Sequence, residues 1–254
     1  MNSDFTAYNT SAELAQCRHG MMKGSLKKHD ARKIAFERIQ MVHLLQALAQ
    51  TPIPQYPVSV KHTSKCVPDF QITFGTRRIA VELTRLKFQD IEHGRALQPR
   101  LKRSITVSNL CPRKEGPRTR QNVIQDGYAP PPLVPPQSMG DQEQQWQIQA
   151  LESLNAKTTV ITSKDYVHGD EDWLVLWDPL GTIDFTSRPD AFSRLLAGCW
   201  KPGWFCRVFL QDTDYEWQMM FTQHESQIIS CASKEPPLDI LQRTFHMDEA
   251  LLPP

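Results

Sequence analysis

The spacing of apolar residues changes along the first part of the chain from a helical period to a strand period. Residues 30 to about 50 carry apolar side chains at helical spacing, with Asp30 as the expected N-cap. From residue 58 to about 85 the period becomes two, and the runs PDFQITF and RRIAVELT are separated by Gly75 and Thr76. This pattern predicts a helix followed by a β-hairpin.

The second half of the chain also alternates between helical and strand patterns. Helices are predicted at residues 142–156 and 188–198, and strands in WLVLWD (173–178), FCRVFLQD (205–212) and YEWQMMF (215–221). The first of these strands is continuously apolar, which is typical of a strand buried on both faces. The order of elements predicts an α/β protein with a mixed central sheet flanked by helices.

Two segments have a different character. Residues 1–27 show weak periodicity and are predicted to form a partly helical leader. A helix-compatible stretch at 90–105 is followed by residues 111–140, which are rich in proline and polar side chains and are predicted to be a flexible insertion. We therefore expect one domain, residues 28–254, that contains this insertion.

Composition limits the classes of partner. The 29 Lys and Arg residues nearly balance the 28 Asp and Glu residues, so a nucleic-acid partner would have to meet a local basic cluster. The six cysteines show no C-x-x-C pair, and neither a disulfide framework nor a zinc site is indicated. The first residues lack signal-peptide character and no apolar run is long enough to span a bilayer, so we expect a cytoplasmic protein without a membrane partner.

The predicted hairpin brings two acidic residues together. With a two-residue turn at Gly75 and Thr76, the residue numbers of each facing pair add to the same sum, and Asp69 faces Glu82. The same register separates an apolar face from a polar face, and a slip by one residue would destroy this separation. The apolar face contains Phe70, Ile72, Phe74, Ile79, Val81 and Leu83, and the other face contains Asp69, Gln71, Thr73, Arg78, Ala80, Glu82 and Thr84.

Such a pair of carboxylates favours a divalent cation. Directly opposed residues have Cβ atoms roughly 4.5–5.5 Å apart, where two like charges repel unless a positive group lies between them. Mg²⁺ or Mn²⁺ suits carboxylate oxygens and keeps room for a phosphate oxygen and a water. We expect Asp69, Glu82 and the carbonyl of Leu83 to bind this ion, although two solvated carboxylates on a hairpin are the simpler structural alternative.

The motif Pro68-Asp69 followed by Glu82-Leu83-Thr84 resembles the PD-(D/E)xK nuclease superfamily. Other bacterial members look similar in carrying Pro-Asp-Phe followed by a Val-Glu-x-Thr strand. The resemblance implies a restriction-endonuclease-like fold and a metal-dependent nuclease, with DNA a more common substrate than RNA. The sequence departs from the family motif at Thr84, where the family has a lysine.

The resemblance also directs attention to further residues. Lys157, at the end of the predicted helix before strand 173–178, is favoured over Lys102 and Lys61 as a migrated catalytic lysine; its alternative is a solvated helix-end residue. Glu37 on the first helix resembles the extra glutamate that some members bring to the metal. Asp69, Glu82 and Lys157 are thus the expected catalytic residues.

A basic stretch follows the expected metal site. Contacts to phosphates by such a cluster dominate nucleic-acid affinity, whereas a charged loop can also be simply solvated. The alternative to an active nuclease is a catalytically inactive nuclease-fold protein that binds nucleic acid or assembles a complex, and a protein partner or homodimer stays open. The residues expected to contact nucleic acid are Arg100, Lys102, Arg103, Arg113, Lys114, Arg118 and Arg120.

Overall fold

An eight-stranded mixed β-sheet with helices on its faces runs through the part of the chain that the computed structural model describes. Because the sheet is mixed and carries helices, the predicted α/β class is confirmed. The described residues are 6–17, 31–63, 68–86, 89–101, 110, 118–128, 139–178, 205–211, 217–222 and 226–230.

The strands follow one another across the sheet in chain order. The first four pair antiparallel, the fourth, fifth and sixth pair parallel, and the last three pair antiparallel. The chain must therefore cross over the sheet between the fourth and fifth strands, since parallel neighbours need a long connection. The strands are β1 (Thr6–Tyr8), β2 (Val58–His62), β3 (Phe70–Phe74), β4 (Arg77–Arg85), β5 (Glu171–Trp177), β6 (Arg207–Gln211), β7 (Trp217–Phe221) and β8 (Ser226–Ser230).

Helices cover both faces of the sheet. One face packs against the two helices that precede β2, and the other packs against the helices of the crossover from β4 to β5. None of the described helices combines the length and the apolar character that a bilayer crossing requires. The helices are α1 (Ser11–Ala15), α2 (Ala31–Leu48), α3 (Gln89–Leu97), α4 (Arg120–Tyr128) and α5 (Met139–Ile161), with a short 3-10 turn at Gln98–Arg100.

The β3–β4 hairpin has the register that the sequence predicts. Phe70 faces Val81 and Phe74 faces Arg77, with the pairs between them in the same register. Gly75 lies at the turn with a φ of 61°, a backbone conformation that glycine adopts without steric penalty. The apolar side chains of the hairpin pack against α2, as expected from their alternation.

The other face of the hairpin is covered as well. Ala80 and Glu82 are buried on the side of α5. The alternative of two solvated carboxylates on the hairpin would require this face to be exposed. A polar face can be buried here because β4 is an interior strand and the crossover helices must pack against it. The acidic pair therefore lies at the boundary of the core.

Strand β5 is buried on both faces, as its continuous apolar run predicts. Trp173 and Val175 belong to the core on the α2 side, and Leu174 and Leu176 belong to the core on the α5 side. Parallel neighbours on both sides leave β5 without an open edge. The strands predicted around residues 205–212 and 215–221 are present as β6 and β7, whereas the helix predicted at 188–198 and the N-cap Asp30 lie outside the described residues.

Two expectations need correction. Residues 1–27 are predicted to be a partly helical leader; the short helix is present as α1, but β1 pairs with β2 and Leu14 of α1 is fully buried, so this part of the chain joins the sheet and its core. Residues 111–140 were expected to be a flexible insertion, but α4 lies within them and buries Val123 in the core on the α5 side. In both cases a few apolar side chains suffice to pack a short element whose sequence has weak periodicity.

Candidate active site

Asp69 is held at the start of the hairpin by its own backbone and side chain. It lies at a bend between Pro68 and β3, where its carbonyl accepts a hydrogen bond from the amide of Thr63 at 3.0 Å. Its Oδ2 atom accepts a hydrogen bond from the amide of Leu83 at 2.9 Å. The carboxylate thus takes the place of a backbone carbonyl in the β3–β4 ladder, which fixes it beside β4.

Glu82 is a buried carboxylate with one unsatisfied oxygen. The residue is 1% exposed, its Oε2 atom accepts a hydrogen bond from Lys157, and its Oε1 atom has no hydrogen-bond partner among the described residues. Burial and the neighbouring Asp69 carboxylate raise the pKa of Glu82 and Lys157 lowers it, and together they bring this pKa to about 7. Glu82 therefore exchanges its proton near neutral pH.

Lys157 connects the two acids. Its Nζ atom lies 2.5 Å from Oε2 of Glu82 and 3.6 Å from Oδ2 of Asp69. The lysine is on α5, which packs over β4, and its side chain is 20% exposed, so the charge is reached from solvent. The structure thus brings together the three residues that the sequence singles out as catalytic.

The position of the family lysine is taken by Thr84. This residue is half-buried on β4, two residues after Glu82 and therefore on the same face. Of the other two lysine candidates, Lys61 lies on β2 opposite Gln71, and Lys102 lies outside the described residues. A positive charge beside the acids is thus supplied from a helix above the sheet instead of from β4 itself.

The donor set fits a hard divalent cation. The amide of Leu83 points at Asp69, and in a strand the carbonyl of the same residue points to the same side. The Oε1 atom of Glu82 is a carboxylate oxygen that accepts no hydrogen bond from the described residues. The described residues contain no group of three or more His, Cys, Asp or Glu side chains that could together hold a metal ion, so the available ligands are two carboxylates and a carbonyl.

Glu37 has a different neighbour from the one expected. It lies on α2, and its Oε2 atom is 3.0 Å from Nε2 of His62. The ring of His62 lies 4.7 Å from the ring of Phe70, a residue of the core on the α2 side. Because Glu82 faces α5 on the opposite side of the sheet, the structure does not place Glu37 beside that carboxylate.

Arg118 does not have the role expected of it. Its side chain is 1% exposed, and its guanidinium donates to Asp90 at 2.6 Å and to Asp126 at 2.7 Å. A buried guanidinium that pairs with the buried Asp90 and the partly buried Asp126 is not available to a phosphate. Arg118 instead ties the start of α4 to α3, which explains why this part of the predicted insertion is ordered.

The other basic residues are divided between surface and undescribed positions. Arg100 and Arg120 are exposed and remain candidates for contacts with phosphates. The remaining four, Lys102, Arg103, Arg113 and Lys114, lie outside the described residues.

Tyr166 is a buried residue on the same side of the sheet as Glu82, and the sequence did not indicate it. It is buried in the core between α5 and the sheet, and its hydroxyl has no hydrogen-bond partner among the described residues. Burial raises the pKa of Tyr166, and the carboxylates of Asp172, Glu82 and Asp69 raise it further. A single tyrosine in a connection has no periodic signal, so only the tertiary structure reveals its neighbours.

Comparison with known proteins adds no relative. No family, no characterised protein and no solved structure matches the chain. The function must therefore be inferred from the residues and distances of the site.

Proposed function

We propose that the protein is a metal-dependent nuclease that hydrolyses phosphodiester bonds, with DNA as substrate. The observation that carries the proposal is the meeting of Asp69, Glu82 and Lys157 at one end of the hairpin. Two carboxylates and a lysine from three separate elements form the set of groups that the resemblance to PD-(D/E)xK nucleases implies.

Mg²⁺ or Mn²⁺ would be held by the carboxylates of Asp69 and Glu82 and by the carbonyl of Leu83. When bound, such an ion polarises a phosphate oxygen and lowers the pKa of a coordinated water. The unsatisfied oxygen of Glu82 supports this assignment, because a buried carboxylate oxygen without a donor is destabilising unless another positive group reaches it.

Each residue of the site has a defined role in the proposed reaction. The amide of Leu83 orients the Asp69 carboxylate by donating to its Oδ2 atom. The ammonium group of Lys157 orients the attacking water and stabilises negative charge that develops on the phosphate. The partial exposure of the Asp69 and Lys157 side chains, 17% and 20%, leaves a side from which a substrate enters.

A purely structural ion pair accounts less well for the same geometry. Burial of Glu82 opposes its ionised form, and Lys157 compensates only one of its two oxygens. Replacing a buried ion pair with well-packed apolar residues often leaves a protein equally stable. A contribution to stability therefore does not explain why this chain has the pair. Strongly perturbed carboxylates of this kind cluster at functional sites.

The architecture supports the same proposal. The hairpin is preceded by α2 on one face and followed by α5 and the buried parallel strand β5, an arrangement consistent with a restriction-endonuclease-like fold. The choice of DNA over RNA rests on the resemblance. A cytoplasmic location is proposed on the grounds of the sequence.

The direct test is a cleavage assay. Purified protein is incubated with supercoiled plasmid, linear duplex DNA, single-stranded DNA and RNA, each with Mg²⁺, Mn²⁺ or EDTA. We expect cleavage of DNA with either metal and none with EDTA. Asp69→Asn and Glu82→Gln, which keep the shape of the side chains, should abolish cleavage and weaken Mn²⁺ binding measured by calorimetry.

Glu152→Gln is the matched control, because Glu152 is an exposed glutamate on α5. This variant should cleave at the wild-type rate. Cleavage that survives both Asp69→Asn and Glu82→Gln rejects the assignment. Salt-dependent binding of DNA without cleavage by the wild-type protein favours the inactive binding module instead.

A further inference from the structure

Two buried polar groups on the α5 side of the sheet lack hydrogen-bond partners among the described residues. One is the Oε1 atom of Glu82, and the other is the hydroxyl of Tyr166. Tyr166 is 6% exposed and Glu82 is 1% exposed, so bulk water does not satisfy either group. Buried groups without partners are rare in folded proteins, and two in the same region call for a common explanation.

The fold places the two groups on the same side of β4. Lys157, which contacts Glu82, lies one helical turn before Ile161, the last residue of α5. Tyr166 follows this helix end and belongs to the same buried cluster as Ile161 and Ala80. Ala80 precedes Glu82 by two residues and points to the same face.

The ring of Tyr166 contacts the ring of His168. The edge of the His168 ring packs against it, with centroids 4.8 Å apart and planes at 63°. His168 in turn has its Nδ1 atom 2.6 Å from Oδ2 of Asp172, which is aligned with Ala80 on the neighbouring strand. These contacts restrict the direction of the phenol.

The hydroxyl of Tyr166 is a donor in an environment of acceptors. Burial raises its pKa, and so do the negative charges of Asp172, Glu82 and Asp69, so the phenol keeps its proton. A protonated phenol has a hydrogen bond to donate, and Oε1 of Glu82 has capacity to accept one. The two groups are chemically complementary.

We propose that Tyr166 is a positioning residue for Glu82, its hydroxyl donating to a buried water that donates in turn to Oε1. This deepens the proposed nuclease function and rests on it for the catalytic consequence. A water in a polar cavity commonly satisfies two such groups at once. Oε1 keeps a second lone pair for the cation, and the water fixes the plane of the Glu82 carboxylate while its Oε2 atom stays with Lys157.

A crystal structure of the metal-free wild-type protein at high resolution tests the contact directly. We expect density for an ordered water within hydrogen-bond distance of both Tyr166 and Glu82, and loss of this water in Tyr166→Phe. A wild-type structure in which no water lies between the two groups and no direct bond joins them overturns the proposal.

Kinetics and metal binding test the consequence. Tyr166→Phe removes only the hydroxyl and should lower kcat or Mn²⁺ affinity by about 10- to 100-fold, the usual effect of losing a group that orients a metal ligand. KM for DNA should stay unchanged. Tyr8→Phe is the matched control, because Tyr8 is a second buried tyrosine and lies in the core on the α2 side, on the face of the sheet opposite Glu82.

These readouts separate the two proposals. If the wild-type protein cleaves nothing, the nuclease function fails, while the water and the Mn²⁺ affinity still decide the role of Tyr166. If Tyr166→Phe and Tyr8→Phe both match the wild type in kcat and Mn²⁺ affinity, the positioning role is refuted and the nuclease function stands.

Discussion

Glu82 should make the folded protein more stable at acidic pH than at neutral pH. Its pKa is raised from 4.5 to about 7 in the folded state, chiefly by burial. The folded state therefore binds a proton over a pH range in which the unfolded state has released it. The resulting stabilisation is complete below the unfolded pKa and is lost as the pH rises through the folded pKa.

The magnitude follows from the two pKa values. A rise from 4.5 to about 7 corresponds to roughly 3 kcal/mol, at about 1.4 kcal/mol for each pH unit. This is a large part of the roughly 5–15 kcal/mol that stabilises a typical domain. Glu82→Gln replaces the carboxyl with a neutral group of the same shape, so it should remove this dependence on pH.

Urea denaturation of metal-free protein provides the assay. The free energy of unfolding of wild type and Glu82→Gln is measured by tryptophan fluorescence at several values between pH 4.5 and 8, with EDTA present. As the pH rises across this range, we expect the unfolding free energy of the variant to increase by about 3 kcal/mol relative to that of the wild type. Glu152→Gln controls for the loss of a carboxyl group at the surface.

The outcome that refutes the reasoning is specific. If the difference in unfolding free energy between Glu82→Gln and wild type is independent of pH, burial does not perturb this carboxyl. If the difference changes in the opposite direction, the Lys157 charge outweighs burial. Either result would remove the argument that the ion pair is retained for function.

The remaining predictions concern the lysine and the arginines. Lys157→Met should raise the pKa of Glu82 further and lower the initial rate of DNA cleavage by about 100-fold or more, and a wild-type rate would exclude a catalytic role. Arg118→Ala should destabilise the protein by about 3 kcal/mol because it leaves the buried Asp90 carboxylate without its guanidinium partner, whereas Arg120→Ala should change the unfolding free energy by less than about 0.5 kcal/mol; equal urea midpoints would contradict this contrast. Arg100→Ala and Arg120→Ala should each weaken DNA binding and reduce the slope of log affinity against log salt by about 1, and unchanged titrations would place the DNA elsewhere.

Local patterns in the sequence determined the hairpin and the central strand. The alternation of apolar residues around Gly75 predicts the β3–β4 register, because a slip by one residue would expose one whole face. The continuous apolar run from Trp173 predicts a strand that is buried on both sides. Together with the Pro-Asp and Glu-x-Thr motif, these signals place Asp69 and Glu82 side by side.

Weak local signals account for the elements that were not predicted. Strand β1 has three residues, and α4 interrupts a segment rich in proline and polar residues. Each is stabilised by contacts with elements distant in sequence. Strand β1 pairs with β2, and the ion pair between Arg118 and Asp90 joins the start of α4 to α3. Long-range contacts of this kind leave no trace in local periodicity.

The sequence by itself determined which acids meet, because their meeting depends on strand alternation within a few residues of one turn. Only the tertiary structure decided which lysine joins them, that Glu82 is buried and that Tyr166 is buried on the same side of the sheet. The reason is that these facts depend on how α5 crosses the sheet, and a helix crossing is set by the packing of whole faces. No local pattern encodes the angle at which those faces meet.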